Sequence, residues 1–436
     1  MSELKPVIVI GGGLAGSEAA WQLARRGVRV ELYEMRPVMQ TPAHTTTHLA
    51  ELVCSNSFKA DALDTASGLL KAELRRCGSL LLQIADSTRV PAGGALAVDR
   101  DGFSARVTEA IESEKLIQVH RREMTELPEE RTVIVAAGPL ISEALARSVG
   151  QFTGRRYLYF YDAISPIVER SSIRTDRTFR ASRYGKGGED YLNCPLTEAE
   201  YNRFYEALTG SETYPLHGFE KKLFFEGCLP IEEMARRGRE TLLFGPMKPV
   251  GLTDPATGHR PFAVIQMRQD NLAADHFNLV GFQTQMRRRE QDRVLRLIPA
   301  LENAVFVRYG QVHRNSYINS PALLTPTLQA RIRPTLFFAG QIAGVEGYVE
   351  AMATGLISGI NAARLTAGEE PLVFPRTTAL GSLLQYISHT DPHDYQPSNI
   401  SFGLLPPPAA RTPRRKRRQL ITRRALEDLE HWKAEC

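Results

Sequence analysis

Residues 7–17 read VIVIGGGLAGS and establish the architecture of this chain. The four apolar residues Val7–Ile10 have the pattern of a strand buried on both faces, and a glycine-rich turn follows them directly. A helical pattern then runs to Arg26, and a second apolar stretch, 28–33, ends at Glu34. A lone G-x-G-x-x-G is a weak signal, but the order strand, glycine turn, helix, strand and acid predicts a dinucleotide-binding unit.

Each glycine of this turn has its own task in such a unit. Gly11 permits the tight turn, Gly13 lets backbone N–H groups approach a pyrophosphate, and Gly16 lets helix and strand pack closely. The helix N-terminus then faces the phosphates, and the acid at the end of the second strand takes the ribose hydroxyls. The predicted cofactor-binding residues of this unit are Gly11, Gly12, Gly13, Leu14, Ala15, Gly16 and Glu34.

Two later segments favour FAD over NAD. Thr132–Gly138 (TVIVAAG) reads as a buried strand that ends in a small-residue turn. Thr335–Gly340 (TLFFAG) leads through Gln341 into an apolar, small-residue helix that ends near Ala363. Either segment alone fits an ordinary βα unit, but together with the first unit they indicate a flavoprotein with Gly138, Gly340 and Gln341 beside the cofactor. The predicted fold class is α/β, a two-dinucleotide-binding-type FAD (Rossmann-like) domain with an inserted α/β substrate domain.

The pattern along the chain changes at three points. Between about 157 and 325 aromatic and charged residues increase, which indicates an insertion that would cover the flavin, where substrate sites are common. A proline-rich segment begins at residue 404, and a basic helix is plausible beyond it. The predicted divisions are 1–156 and 326–403 for the two parts of the FAD domain, 157–325 for the insertion, and 404–436 for the linker and basic helix.

Composition excludes several other classes of protein. The 436 residues are 43% hydrophobic and 24% charged, which is ordinary for a globular protein. No apolar run approaches the ~18 residues that span a bilayer, and the N-terminus lacks the pattern of an export signal. We therefore expect a cytoplasmic protein without a membrane partner. The five cysteines include no C-x-x-C pair, and His44 and His48 lack the glutamate of H-E-x-x-H, so we predict no metal site.

The positive charge is concentrated near the C-terminus. The chain carries a net charge of +5, and residues 411–424 alone contain eight basic residues and no acid. Such a cluster is typical of a polyanion contact, although a solubilising tail would have the same composition. The predicted polyanion-binding residues are Arg414, Arg415, Lys416, Arg417 and Arg418.

The chain resembles the bacterial folate- and FAD-dependent tRNA (uracil-5-)-methyltransferases, the TrmFO family. The resemblance extends over most of the chain and is much more specific than a glycine motif. The larger GidA/MnmG flavoproteins, which have a long helical C-terminal region, are similar but more distant. The stretches that carry the resemblance include HLAELVCSNSFKAD at 48–61, VPAGGALAVDRDGFS at 90–104, FYDAISPIV at 160–168, LFFEGCLPIEEMARRG at 223–238, RPFAVIQMRQDN at 260–271, LVGFQTQM at 279–286, HRNSYINSP at 313–321, AGQIAGVEGYVEA at 339–351 and SFGLLPPP at 401–408.

The resemblance implies methylation of C5 of the T-loop uridine at position 54 of tRNA. Methylenetetrahydrofolate would donate the carbon, and FAD reduced by NADH or NADPH would supply the two electrons that turn a methylene into a methyl group. A thiolate that adds to uracil C6 makes C5 nucleophilic. The implied partners are tRNA, folate and a nicotinamide nucleotide, with no obligate protein partner. Wobble-uridine modification of the GidA/MnmG kind and methylation of a ribosomal RNA uridine remain alternatives.

Two cysteines are candidates for the uracil nucleophile. Cys228 lies in a glycine–proline turn before an expected helix start at Ile231, and a helix N-terminus lowers a thiol pKa. Cys54 lies in a polar loop after the first βαβ unit and would be near the flavin. We favour Cys228 as the nucleophile, with Cys54 assisting at the flavin. The other three cysteines are interpreted as structural.

The folate site is predicted from flat and amide side chains. His313 would stack on the pterin, and Asn315 and Asn319 would bind its edge. Glu346 and Tyr348, beside the presumed flavin edge, would order the pterin or the uridine. The sequence does not identify the general base that removes the C5 proton.

Overall fold

The computed structural model describes residues 5–41, 43–154, 158–215, 224, 229–408 and 412–435, without the side chains of 158–160, 313, 314, 414 and 415. Within these ranges the strands are β1 (Val7–Ile10), β2 (Val30–Glu34), β3 (Ser57–Ala60), β4 (Arg89–Val90), β5 (Ala95–Val98), β6 (Ile117–Arg121), β7 (Val133–Val135), β8 (Leu158–Ala163), β9 (Ile167–Glu169), β10 (Phe179–Arg180), β11 (Tyr191–Leu196), β12 (Ala263–Gln269), β13 (His276–Leu279), β14 (Phe306–Arg308), β15 (Val312–Tyr317), β16 (Gln329–Ala330) and β17 (Arg333–Phe338). The α-helices are α1 (Leu14–Ala24), α2 (Ala66–Arg76), α3 (Leu80–Ser87), α4 (Arg100–Ser113), α5 (Glu143–Thr153), α6 (Glu198–Thr209), α7 (Ile231–Arg236), α8 (Thr241–Phe244), α9 (Arg288–Leu295), α10 (Ser320–Leu323), α11 (Tyr348–Thr366), α12 (Ala379–His389) and α13 (Arg414–Glu435).

The first sheet has the strand order β16-β17-β7-β1-β2-β6. Its five strands from β17 to β6 are parallel, and β16 is antiparallel to β17. All four residues of β1 are buried, as expected of a strand with helices on both faces. The predicted α/β class with a Rossmann-like sheet is confirmed.

Helices α1 and α11 cross on this sheet at very short range. A Cβ added to Gly355 would lie 2.2 Å from the carbonyl oxygen of Ala15, and one added to Gly359 would lie 2.6 Å from that of Ala19. The small residues of α11 therefore allow the two backbones to touch. This contact holds the N-terminal and C-terminal parts of the FAD-type domain together.

A second sheet, with the order β10-β11-β12-β13-β9-β14, is antiparallel throughout. It has its own apolar core, in which Phe204, Phe277 and Phe282 are fully buried. The pair β8 and β15 connects the two sheets, since β8 leads into the second sheet and β15 leads out of it. The second sheet therefore lies inside the segment 157–325 that the sequence analysis interprets as an insertion, whose exact bounds stay a prediction.

The C-terminal helix α13 packs on the FAD-type domain. Ile421, Ala425 and Leu429 are buried in the first core, and the Trp432 ring lies 4.2 Å from that of Phe374. One face of the second half of the basic helix is thus part of the domain core, whereas Lys416, Arg417 and Arg418 in its first half are exposed. None of the helices in the described part of the chain combines the length and apolarity that crossing a membrane would require.

Candidate active site

A cleft opens where strands β1, β2, β7 and β17 end. Ligands of open parallel sheets bind at this carboxyl edge. The cleft brings together most of the residues that the sequence analysis selects for the cofactor. Those that line it are Gly11, Gly13, Leu14, Ala15, Glu34, Gly138, Gly340 and Gln341.

The glycine turn has the geometry of a pyrophosphate-binding turn. Gly11 has a φ of +105°, and a Cβ on Gly16 would lie 1.8 Å from the carbonyl oxygen of Gly11, so the strand and α1 require glycine at both positions. Gly13, the N-cap of α1, faces open space, and no side chain caps the helix. The free N–H groups of this helix start fit an anionic group such as the pyrophosphate of FAD.

A buried ion-pair network holds Glu34 at the end of β2. The amide of Gly12 donates to Glu34 Oε2 over 2.9 Å, and Arg36 Nε donates to Glu34 Oε1 over 2.9 Å. Arg36 Nη1 also donates to Glu51 Oε2 over 3.0 Å. Burial alone would raise the pKa of Glu34, but the hydrogen bonds and charge of Arg36 hold that pKa below its usual range. Glu34 is therefore an anion with lone pairs left for a ligand, as the predicted ribose contact requires.

Arg36 and Glu51 are parts of this site that no sequence motif indicates. Arg36 is 1% exposed, although arginine is rarely so buried unless it is paired. The position of Arg36 two residues after Glu34 is only a weak sequence signal of the ion pair between them. Glu51 reaches the network because its carboxylate accepts hydrogen bonds from the backbone of Thr45 and Thr46, in the loop that wraps around Arg36.

Cys54 and Tyr348 lie together on the opposite wall of the cleft. The Tyr348 hydroxyl accepts hydrogen bonds from the backbone amides of Cys54, over 2.8 Å, and Ser55, over 3.2 Å. Tyr348 is the first residue of α11. The cysteine loop is therefore anchored to the helix that follows the predicted flavin contacts Gly340 and Gln341.

Two buried carboxyl groups face the Cys54 thiol, which donates to Asp162 Oδ2 over 3.5 Å. Burial raises the pKa of Cys54, and the charges of Asp162 and Glu346 raise it further. Burial and the Asp162 charge also raise the pKa of Glu346, which accepts a hydrogen bond from Gln341 Nε2 over 2.6 Å. The group therefore combines a thiol and a carboxyl group whose pKa values are both raised by burial and by the Asp162 charge, and perturbed pKa values of this kind in a cleft mark candidate functional sites.

The sequence analysis did not single out Asp162. This residue belongs to β8, and its partner in the antiparallel register is His313 of β15. Asp162 and Cys54 are 108 positions apart in sequence, so their contact depends on the tertiary fold. A lone aspartate in FYDAISPIV carries no signal of that contact.

Three of the five residues predicted to bind folate line the cleft. Asn315 on β15 is buried and lines the cleft, as Glu346 and Tyr348 do. Asn319 is directed elsewhere, because its Nδ2 donates to the carbonyl of Pro392 over 2.8 Å. The side chain of His313 lies outside the described part. The folate contacts of all five residues stay a prediction.

The favoured nucleophile, Cys228, lies outside the described residues. The helix expected after it is present as α7, which begins at Ile231. Two acids, Glu232 and Glu233, occupy the first turn of that helix. Cys77 and Cys194 are free thiols whose pKa burial raises to about 12, in agreement with a structural role.

The predicted polyanion-binding residues all belong to α13. Lys416, Arg417 and Arg418 are exposed in its first half, while the side chains of Arg414 and Arg415 lie outside the described part. Across the described ranges no cluster of His, Cys, Asp and Glu has the composition of a metal site. His44 instead pairs its Nδ1 with the Thr41 hydroxyl over 2.5 Å.

Comparison with known proteins agrees with this arrangement. Residues 6–370 match the family described as glucose inhibited division protein A. A methylenetetrahydrofolate--tRNA-(uracil-5-)-methyltransferase TrmFO from Pelotomaculum thermopropionicum is 59% identical, with 98% of each chain covered. The protein of the same name from Enterococcus faecalis is 57% identical, with 97% of each chain covered. The chain belongs to the TrmFO family.

Solved structures extend the TrmFO-family assignment to the fold. GidA from Aquifex aeolicus has a TM-score of 0.70 to this chain at 16% identity, covering 98% of this chain and 73% of that one. A second crystal form of the same protein has a TM-score of 0.70 at 18% identity. This chain therefore shares its overall fold with GidA.

Proposed function

We propose that this protein methylates C5 of a uridine in tRNA, with methylenetetrahydrofolate as the carbon donor and FAD as the redox cofactor. The proposal rests on full-length similarity to proteins named for this activity. The observation that carries it is the composition of the cleft. A dinucleotide-type turn, a thiol and two buried carboxyl groups line one cavity.

FAD fits the residues at the carboxyl edge of the first sheet. The uncapped start of α1 at Gly13 would hold the pyrophosphate, and Glu34 would bind the ribose. Gly340 and Gln341 would lie beside the flavin. When bound, FAD supplies the two electrons that convert a methylene into a methyl group, and NADH or NADPH is the proposed source of those electrons.

Cys228 and Cys54 would have different roles in the reaction. A thiol with a raised pKa is a poor nucleophile at neutral pH, because the thiolate is the attacking species. Cys54, which faces Asp162 and Glu346, is such a thiol. This favours Cys228 as the group that adds to uracil C6. Cys54 would then assist at the flavin, with the two carboxyl groups holding protons beside it.

The proposed substrate is the T loop of tRNA, and the reaction would take place in the cytoplasm, where tRNA is modified. The basic first half of α13 would contact the RNA backbone through Lys416, Arg417 and Arg418. Asn315, His313 and Asn319 stay the proposed folate contacts, although only Asn315 has a described side chain in the cleft.

The test is mass analysis of nucleosides from a T-loop transcript. The purified protein is incubated with the transcript, NADH or NADPH, and either methylenetetrahydrofolate or S-adenosylmethionine. We expect 5-methyluridine only with the folate. Cys228→Ser should abolish the product and retain RNA binding, while Cys77→Ser serves as a control that changes neither.

Two outcomes would contradict the proposal. Methylation with S-adenosylmethionine alone would exclude the folate reaction. A yellow protein that binds RNA but yields no 5-methyluridine would favour wobble-uridine chemistry or a ribosomal RNA substrate, and both can be tested with the corresponding transcripts.

A further inference from the structure

Two aromatic rings on the inserted domain are exposed to solvent. Tyr184, in the loop between β10 and β11, is 59% exposed, and Phe244, at the end of α8, is 78% exposed. Neither belongs to the apolar core of this domain, where Phe204 and Phe277 are fully buried. Large exposed apolar side chains that share one surface mark binding sites more often than isolated ones do.

The two rings belong to one surface. The Tyr184 amide donates to the carbonyl of Gly251 over 3.0 Å, and Arg183 Nη2 donates to the carbonyl of Lys248 over 2.6 Å. Lys248 follows Phe244 within one tight turn, in which its amide donates to the carbonyl of Gly245. We call this surface the Tyr184 patch; it comprises Arg183, Tyr184, Lys186, Phe244 and Lys248.

The backbone of Tyr184 is strained. Its φ of +60° and ψ of +23° lie in the left-handed region, which is unusual for a bulky residue. Strained backbone that presents an exposed side chain is typical of functional sites.

The patch carries positive charge that is not neutralised locally. Arg183 Nε is buried and has no hydrogen-bond partner among the described residues. Among the residues that the structure describes, Arg183, Lys186 and Lys248 form no ion pair with a carboxylate. The loop between β10 and β11 holds two acids, Glu189 and Asp190, so the three cations of the patch exceed them by one positive charge. An anionic group would complete the surface.

The patch is connected to the cleft through β11 and β12. The loop that holds Tyr184 ends at Tyr191, which pairs with Arg268 of β12. Arg268 Nη2 donates to Ser55 Oγ over 2.8 Å, directly beside Cys54. The strand pair therefore links the loop of the patch to the loop that holds Cys54.

We propose that the Tyr184 patch binds the RNA substrate, with unpaired bases stacked on Tyr184 and Phe244 and phosphates on the three cations. Aromatic rings beside basic side chains are the usual means by which proteins hold unpaired nucleotides. This inference rests on the proposed function for the identity of the partner. It adds a second RNA contact, on the inserted domain, to that of α13.

The experiment measures the affinity of the full-length protein for the T-loop transcript at several salt concentrations. Tyr184→Asn removes the ring and keeps a residue that tolerates the left-handed backbone, so folding is preserved. We expect Tyr184→Asn and Phe244→Ala each to weaken binding by about five- to a hundredfold, the range for one stacked base. Tyr184→Phe should bind like the wild type. Ile332→Ala, which removes a side chain 71% exposed on the FAD-type domain, is the matched control.

Charge is tested separately from stacking. Lys248→Gln removes one cation from the patch, so the slope of log affinity against log salt should fall by about 0.7–0.9 if that cation binds one phosphate. Unchanged affinity in both ring variants would overturn the proposal. A shift in oligomeric state without a change in RNA affinity would also overturn it, because the patch would then join two copies of the chain.

The proposed methylation reaction and the proposed RNA contact of the Tyr184 patch can each fail without the other. If the wild type binds the transcript through these rings but yields no 5-methyluridine, the patch stands and the reaction is wrong. If the wild type methylates the transcript and the ring variants bind it normally, the reaction stands and the patch is wrong.

Discussion

The thiol of Cys54 donates a hydrogen bond to Asp162 Oδ2 over 3.5 Å, although 108 positions separate the two residues in sequence. Asp162 belongs to the strand that leads into the inserted domain, whereas Cys54 belongs to the FAD-type domain. The contact therefore joins the two domains at the cleft. Burial and the charge of Asp162 also raise the pKa of Cys54, which favours the protonated thiol over the thiolate.

The first prediction concerns the reactivity of this thiol. In the wild type, Cys54 should react slowly with iodoacetamide near neutral pH, because burial and the Asp162 charge raise its pKa. Asp162→Asn removes that charge, so alkylation of Cys54 should become faster and its pH profile should move to lower pH. Peptide mass spectrometry measures the rate of alkylation at each cysteine. Cys77, whose pKa of about 12 has no contribution from Asp162, should be unaffected, and an unchanged rate at Cys54 would contradict the argument.

The second prediction concerns the buried arginine beneath the cofactor site. Arg36→Met should lower the free energy of unfolding by about 3–5 kcal/mol, because it leaves Glu34 and Glu51 without their shared cation. FAD content should fall as well. Arg121→Met breaks the more exposed pair with Glu112 and should cost only about 0–1 kcal/mol. If urea denaturation shows the same loss of unfolding free energy for both variants, the buried ion pairs of Arg36 contribute no more to stability than the exposed pair of Arg121.

The third prediction concerns the crossing of α1 and α11. Gly355→Ala places a methyl group where only 2.2 Å separates it from the carbonyl oxygen of Ala15, so we expect a loss of about 1–3 kcal/mol in stability. Ser358→Ala, on the same buried helix, removes a hydroxyl that has no partner among the described residues and should be near neutral. Thermal denaturation compares the two, and a stable Gly355→Ala protein would refute the close contact.

The fourth prediction concerns pH. Burial lowers the pKa of His44 to about 4, and the charge of Arg36 acts in the same direction. An unfolded histidine binds a proton near pH 6.5, so its contribution to stability is complete above about 6.5 and is lost as the pH falls towards 4. The difference in Tm between the wild type and His44→Gln should therefore change by roughly 1–3 °C across this window. A constant difference would exclude a titrating role for His44.

The fifth prediction concerns the basic helix. Deletion of the whole C-terminal segment would remove Ile421, Ala425 and Leu429 from the core, so it cannot separate RNA binding from folding. Replacement of Lys416, Arg417 and Arg418 by Gln avoids this, because these side chains are exposed. The triple variant should keep its Tm and reduce the salt slope of tRNA binding by about 2–3.

Leu429→Ala is the opposite control for the fifth prediction. It should cost about 2–5 kcal/mol in stability and leave the salt slope unchanged, since Leu429 is fully buried. A triple variant that binds tRNA with an unchanged salt slope would show that α13 is a structural helix with a solubilising end.

The fold class and the cofactor edge of the cleft follow from local sequence alone. Residues 7–17 specify a buried strand, a tight turn and a helix start because each feature depends on neighbours within a few positions. The same holds for Gly138 and Gly340, which follow apolar strands and line the cleft. Family resemblance in many short motifs then supplied the reaction.

Which side chains meet is settled by the packing of the whole chain. Asp162 contacts Cys54 across 108 positions, Glu51 reaches Arg36 through a loop, and α13 docks on the core of a distant segment. Hydrophobic periodicity reports which face of an element is buried, but it does not report which element covers that face. Because these contacts span long sequence separations, the acid group beside Cys54 and the divided C-terminal helix emerge only in the folded protein.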